Sequence, residues 1–377
     1  MRILGKRLAL VAAVLSVTVV TGCATKSPTI TEALSGAEMT AWAVKGAGDE
    51  LTVSVSEAGR TIKLIPRVGK VAAISVDAMV NDKYRVAIRA ALEDYGLEEV
   101  FVSKLRDGLE QSAPNRLVQV GPLTSTVGYH TAQDAQDARL RRLGKEGVSV
   151  LMDVDVEYGV YGAAFGMRVA LAARMVSVPE GRRIWRGKVR VVLGPFLANM
   201  KSKNIVERRI SGLTDPQLTV DKDAMVELTG DDAALLKEQF EVCVAAAVSA
   251  LLCDMGLADE PLGHYHLGRR AFEDQDYEEA TEHFRRAQTL GATSMDLRND
   301  LAVTHARLGR VDEAVDSATQ ILDEEPEYAP ALFNLAWWNA FDKEDLDTAR
   351  RYYEQALAAD MAPSKKLEKA LEEPEAE

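Results

Sequence analysis

The chain has 377 residues, a hydrophobic fraction of 47% and a formal net charge of −13. That length accommodates one large domain or two ordinary ones, and the apolar fraction is enough for a real core. The acidic balance argues against a nucleic-acid binder, because such binding gains most from Lys and Arg on phosphates.

At the N-terminus, Arg2, Lys6 and Arg7 precede an apolar run from Leu8 to Val20 that is broken only by Ser16 and Thr18. A charged start, a short apolar core and small residues before a cut site describe a secretory signal. A spanning helix needs roughly 17–25 apolar residues, more than this run supplies. The run ends in Val20-Thr21-Gly22-Cys23. These four residues resemble the lipobox of bacterial lipoproteins. The resemblance implies that the Cys23 thiol receives a diacylglyceryl group, that residues 1–22 are removed, and that the new amine is acylated. Ala24, where an Asp would favour inner-membrane retention, points to the outer membrane and its periplasmic side. Losing residues 1–22 removes three positive charges and no negative ones, so the mature charge is −16. Residues 23–66 are expected to form a tether closed by a hairpin, Leu51 to Ile65, around Glu57-Ala58-Gly59-Arg60.

Residues 67–258 read as a mixed α/β domain with a C-terminal helix. Val71 to Val76 has strand character, and Leu97, Val100, Phe101, Leu105 and Leu109 recur at helical spacing. Arg116 to Val120 is a second strand and Ala132 to Gly147 an amphipathic helix. Val148–Tyr161, Met167–Val178 and Arg182–Leu193 then form a three-strand antiparallel meander, with a turn at Pro179-Glu180-Gly181. This strand–helix–strand–helix–meander order resembles the small domain at the start of TolB and in the curli-secretion lipoproteins. It also occurs in lipoprotein activators of penicillin-binding proteins. The likeness covers about a third of the chain and implies a domain that meets envelope partners or self-associates into a ring.

Residues 196–230 give no clear pattern beyond a basic stretch from Lys201 to Arg209. Asp231 to Met255 reads as one helix carrying Cys243 and Cys253. Ten residues of helix rise about 15 Å, whereas a disulfide needs Cα atoms within about 7 Å. Both cysteines are therefore expected as buried small apolar residues. Asp254 to Glu260 is the expected linker to the C-terminal third of the chain.

Few residues carry a chemical signal. Asp153, Asp155 and Glu157 alternate along one strand and share a face. They could bind a hard cation, but Arg168, Arg186, Lys188 and Arg190 on the next strands make cross-strand pairing the plainer expectation. The five histidines, His130, His264, His266, His283 and His305, show no metal or triad spacing. There is no G-x-S-x-G elbow and no phosphate loop. The expectation is a non-enzymatic protein without catalytic residues, metal or cofactor; the enzymatic alternative is a hydrolase using Asp153 and Asp155.

Residues 259–363 contain three similar segments, 261–294, 295–328 and 329–363. Leu267-Gly268, Leu301-Ala302 and Leu335-Ala336 correspond, as do Ala280, Ala314 and Ala349. Phe284, Ala318 and Tyr353 come next in the three segments, and Pro326 closes the second. This pattern resembles the tetratricopeptide repeat, whose period is 34 residues. The likeness implies three helical hairpins stacked around a concave protein-binding surface. It places Tyr265, Arg269, Asn299, Arg307, Phe333 and Trp337 on that surface, although Phe333 and Trp337 fit a core equally well. Residues 364–377 are expected as a capping helix, Lys365 to Leu371, and an acidic tail. Residues 261–377 carry 13 Lys and Arg against 26 Asp and Glu, which suits a partner of basic character.

The fold class expected is therefore α+β, a mixed α/β domain followed by an all-α helical stack. The function expected is a scaffold for an envelope protein complex, held to the membrane by lipid on Cys23 and binding no nucleic acid. The alternative is a ring-forming support for an export system.

Overall fold

The computed structural model describes residues 28–46, 52–54, 82, 84–113, 115–123, 128, 130–161, 166–194, 196–199, 230 and 233–372. It is α+β, with a mixed sheet region followed by a helical stack. The fold divides into two compact units. The α/β unit holds the described residues up to 193 together with 230–266, and the helical unit holds residues 194–199 together with 267–372.

The α/β unit contains, in chain order, α1 (Pro28–Ser35), β1 (Met39–Gly46), β2 (Thr52–Ser54), α2 (Leu97–Ser112), β3 (Arg116–Gln119) and α3 (Ala132–Lys145). It continues with β4 (Val150–Tyr161), β5 (Gly166–Ser177), β6 (Arg183–Val192) and α4 (Ala234–Asp254). Strand order is β3-β1-β4-β5-β6, with β2 also pairing β4. β1 runs parallel to both β3 and β4, whereas β4, β5 and β6 form the antiparallel meander.

One strand lies where the sequence predicts a tether. β1 occupies an interior position between β3 and β4. Thr40 to Val44 are all buried, so the strand has no polar face to produce alternation. Enclosure by neighbours on both sides and both faces erases the period-two signal, and a short apolar run is then easily missed. Of the expected hairpin, only Thr52–Ser54 is described. β2 pairs in parallel with β4, Thr52 opposite Gly159, and the rest of Leu51–Ile65 lies outside the described residues. So do the signal segment, Cys23, Val71–Val76 and the basic stretch 201–209.

Along β4, Met152, Val154, Val156 and Tyr158 are buried on one face. Helix α4 packs there against β5 and β6 and also meets α2. Its Phe240 is fully buried, edge-on to Tyr158 with ring centroids 5.6 Å apart. On the opposite face, Leu140 and Leu143 of α3 close over Ala41, Leu151 and Val176. Thr131 starts α3 by accepting a hydrogen bond from the Asp134 amide, satisfying one of the donors that a helix start leaves open.

The helical unit consists of α5 (Pro261–Glu273), α6 (Tyr277–Thr289), α7 (Met295–Arg307), α8 (Val311–Glu324), α9 (Ala329–Phe341), α10 (Leu346–Ala358) and α11 (Lys365–Leu371). The division between units falls within α5. The small residues act as close-approach points. Ala280, Ala302, Ala314, Ala336 and Ala349 are fully buried, and a Cβ on Gly268 would meet the Phe284 ring at 2.7 Å. The turns within the three pairs repeat as well: Gln275, Gly309 and Glu344 all have left-handed backbone, with φ of 69°, 77° and 57°. Asp276 and Asp345 then cap α6 and α10, while Arg310 at the same place supplies no cap to α8. Helix α11 buries Leu367 and Leu371 against Phe333, Ala336 and Tyr353.

Candidate functional site

Helices α5, α7 and α9 bring a row of polar side chains into the interior of the helical unit. Asn299 is 1% exposed, Asp300 and Asn334 are 0%, and Arg269 is 4%. Groups this deep are stable only when hydrogen-bonded. Their partner is the chain itself: Gly194, Phe196 and Ala198 lie along the row.

Arg269 donates to the Gly194 carbonyl at 2.7 Å. The Phe196 amide donates to Asp300 Oδ1. Its carbonyl accepts from Asn299 Nδ2 at 2.7 Å and from Asn334 Nδ2 at 3.2 Å. The Ala198 amide donates to Asn334 Oδ1 at 2.6 Å, and its carbonyl accepts from Arg307 at 2.8 Å. These bonds end on main-chain atoms of every second residue, the spacing at which an extended chain presents the same edge. Neutral bonds of this kind contribute about 1 kcal/mol each and those to charged groups about 1.5–3 kcal/mol.

One side chain of the segment is gripped strongly. Phe196 is fully buried, stacked on Phe272 with centroids 4.3 Å apart, and the Arg269 guanidinium lies 4.7 Å from its ring centre. Such a cation over an aromatic face adds about 0.5–2 kcal/mol. Arg269 also pairs with Asp300 at 3.1 Å, so the deepest charges of the row cancel within the groove. Near its other end, burial pushes the Asp342 carboxyl above the usual carboxylate range, against the lowering pull of Arg307 and Lys366.

Three of the six residues predicted for this surface, Arg269, Asn299 and Arg307, thus converge on one segment. Phe333 does not: it is 2% exposed and packs in the core with Ala336, Tyr353 and Leu367. Trp337 lies against Phe341 at 4.4 Å, with the Lys366 ammonium 4.6 Å over its ring. Tyr265 is half-buried beside His266 in the α/β part of α5. Sequence reasoning missed Asp300 and Asn334. They stand 34 residues apart, the offset of Ala302 and Ala336, one position beyond Asn299 and Phe333. One residue is about 100° of helix rotation, and on α9 that step separates Asn334 in the groove from Phe333 in the core, whereas on α7 both Asn299 and Asp300 reach the segment.

Two carboxylates of β4 are charge-paired. Asp153 accepts from Arg139 at 2.8 Å and from Arg174 at 3.1 Å, and Glu157 lies 4.0 Å from Arg168. The charge pairing runs to α3 and the adjacent β5. Arg186 and Lys188 stand opposite Arg174 and Ala172, one strand further away from Asp153 and Asp155. Among the described residues no group of three or more His, Cys, Asp or Glu is placed to hold a metal ion. Cys243 and Cys253 are buried thiols outside any disulfide. Burial pushes the Cys253 thiol up to about 12, despite the Glu260 amide donating to its sulfur.

No known protein family matches the chain, and no curated protein matches it either.

Proposed function

We propose that the protein is a non-enzymatic lipoprotein, anchored through Cys23 on the periplasmic side of the outer membrane. Its three helical pairs act as tetratricopeptide repeats that hold a partner of an envelope complex. The observation that carries this reading is the buried polar row of Arg269, Asn299, Asp300, Arg307 and Asn334, which grips an extended main chain. A groove with this donor and acceptor pattern is equipped to bind a stretch of polypeptide and does not itself place any nucleophile or acid–base pair.

Two experiments test the two halves of the proposal. In cells, Cys23→Ser should leave the protein at precursor size, because no thiol remains to be alkylated; cleavage at the unchanged site would mean an ordinary signal peptidase acts here. Crosslinking in the native envelope should capture a partner that is lost in the Asn299→Ala, Asn334→Ala double variant while helical content is retained. Capture undiminished in that folded variant would move the binding surface away from the groove.

A further inference from the structure

The groove that the proposed function relies on is occupied by residues 194–198 of the same chain. Arg269, Asn299, Asp300, Arg307 and Asn334 hold Gly194, Phe196 and Ala198 by hydrogen bonds to main-chain atoms, which impose a backbone path and little sequence. Sequence is read at two places. The fully buried Phe196 needs an aromatic ring to sit between Phe272 and Arg269, and the buried Ala198 needs to be small. The segment brings no charge, which matches a groove whose Arg269 and Asp300 neutralise each other. Fixed internal packing is ordinarily built from apolar side chains, since burying Asn, Asp and Arg carries a desolvation cost without gaining more than an apolar core would. A row of buried amides and charges aimed at a backbone is instead what a peptide-binding surface uses, because it can be rehydrated when its ligand leaves.

We propose that residues 194–198 are a displaceable internal ligand of this groove. The partner segment it takes is an uncharged, extended stretch with an aromatic residue two positions before a small one. The inference rests on the reading that the groove is a partner site and adds its recognition rule and its regulation. The tethered segment competes at an effective concentration that can be on the order of millimolar for a short linker. A free segment of the same sequence is therefore held off, and weakening the internal copy raises apparent affinity by the factor by which the groove is vacated.

The test uses the full chain and a fluorescent peptide, Leu-Gly-Pro-Phe-Leu-Ala-Asn, which copies residues 193–199. Fluorescence polarisation should show the peptide binding Phe196→Ala at least tenfold more tightly than the unaltered chain. Ala198→Pro, which removes the amide donated to Asn334, should do the same without opening the Phe196 pocket. A peptide with Ala in place of Phe should bind neither, and adding Asn299→Ala with Asn334→Ala should abolish the gain. Variants that keep their helical content but bind the peptide no better than the unaltered chain would overturn the inference. So would loss of helical content in both variants, which would make the segment a permanent part of the core. The partner reading fails separately: peptide binding would behave as expected while envelope crosslinking captures nothing through the groove.

Discussion

At the scale of single residues, the helical unit contains a histidine held against its own charge. His305 is 6% exposed, and neither ring nitrogen has a hydrogen-bond partner among the described residues. Burial pulls its pKa below the ordinary 6.5; nearby Glu313, 3.9 Å away, opposes this, and Arg285 and Arg310 add to it. The unfolded chain takes up its proton near 6.5 and the folded chain only at lower pH. Between those values the unfolded state binds more protons, so stability is lost as pH falls through 6.5. Thermal melts followed by circular dichroism should therefore show a lower Tm at pH 5.5 than at pH 7.5. His305→Gln should remove a part of that difference, and an undiminished difference would assign it to other groups.

At the scale of elements, the three helical pairs are near copies whose departures have a direction. Asp276 and Asp345 cap α6 and α10 by accepting from the amides three residues on, and Arg310 stands at the same offset before α8 with no side-chain cap. An N-cap Asp in place of a non-capping residue is worth about 1 kcal/mol, and an acidic residue also suits the positive end of the helix dipole. Arg310→Asp is expected to raise Tm by about 2–4 °C, measured by calorimetry; an unchanged or lower Tm would show that the arginine makes a compensating contact. The turn residues point the same way. Gln275 and Glu344 adopt positive φ where Gly309 does so without a Cβ, and left-handed backbone costs a non-glycine residue about 1 kcal/mol.

At the scale of the whole molecule, the helical unit is discontinuous in sequence. Residues 194–199 belong to it, although they come directly after β6 and well before α5. A fragment of residues 261–377 should fold as a helical stack, because each pair contacts mainly its neighbours. It would lack the segment that satisfies Asn299, Asp300 and Asn334. Adding the 193–199 peptide should raise its Tm in proportion to the logarithm of peptide concentration, as for any ligand that binds only the folded state. A Tm that ignores the peptide up to millimolar concentration would mean that the groove forms only with its segment built in.

The sequence by itself determined the elements whose signals are local. Helical spacing from Leu97 to Leu109, alternation along β4 to β6 and the recurrence of Ala280, Ala314 and Ala349 at 34 and 35 residues each reflect contacts a few residues apart or copied at a nearly fixed period. It also put Arg269, Asn299 and Arg307 on one surface, because a shared offset in a repeated helix becomes a shared face. Tertiary structure alone decided three things. It placed β1 inside the sheet, where burial on both faces removes the alternation that marks a strand. It turned Asp300 and Asn334 into the groove and Phe333 away from it, a difference of one helical position that an alignment of repeats does not resolve. It also showed what the groove holds. Residues 194–198 are joined to Asn299 and Asn334 by hydrogen bonds that span more than a hundred positions of chain, and a main-chain amide or carbonyl has no residue-type signature by which a sequence can announce it.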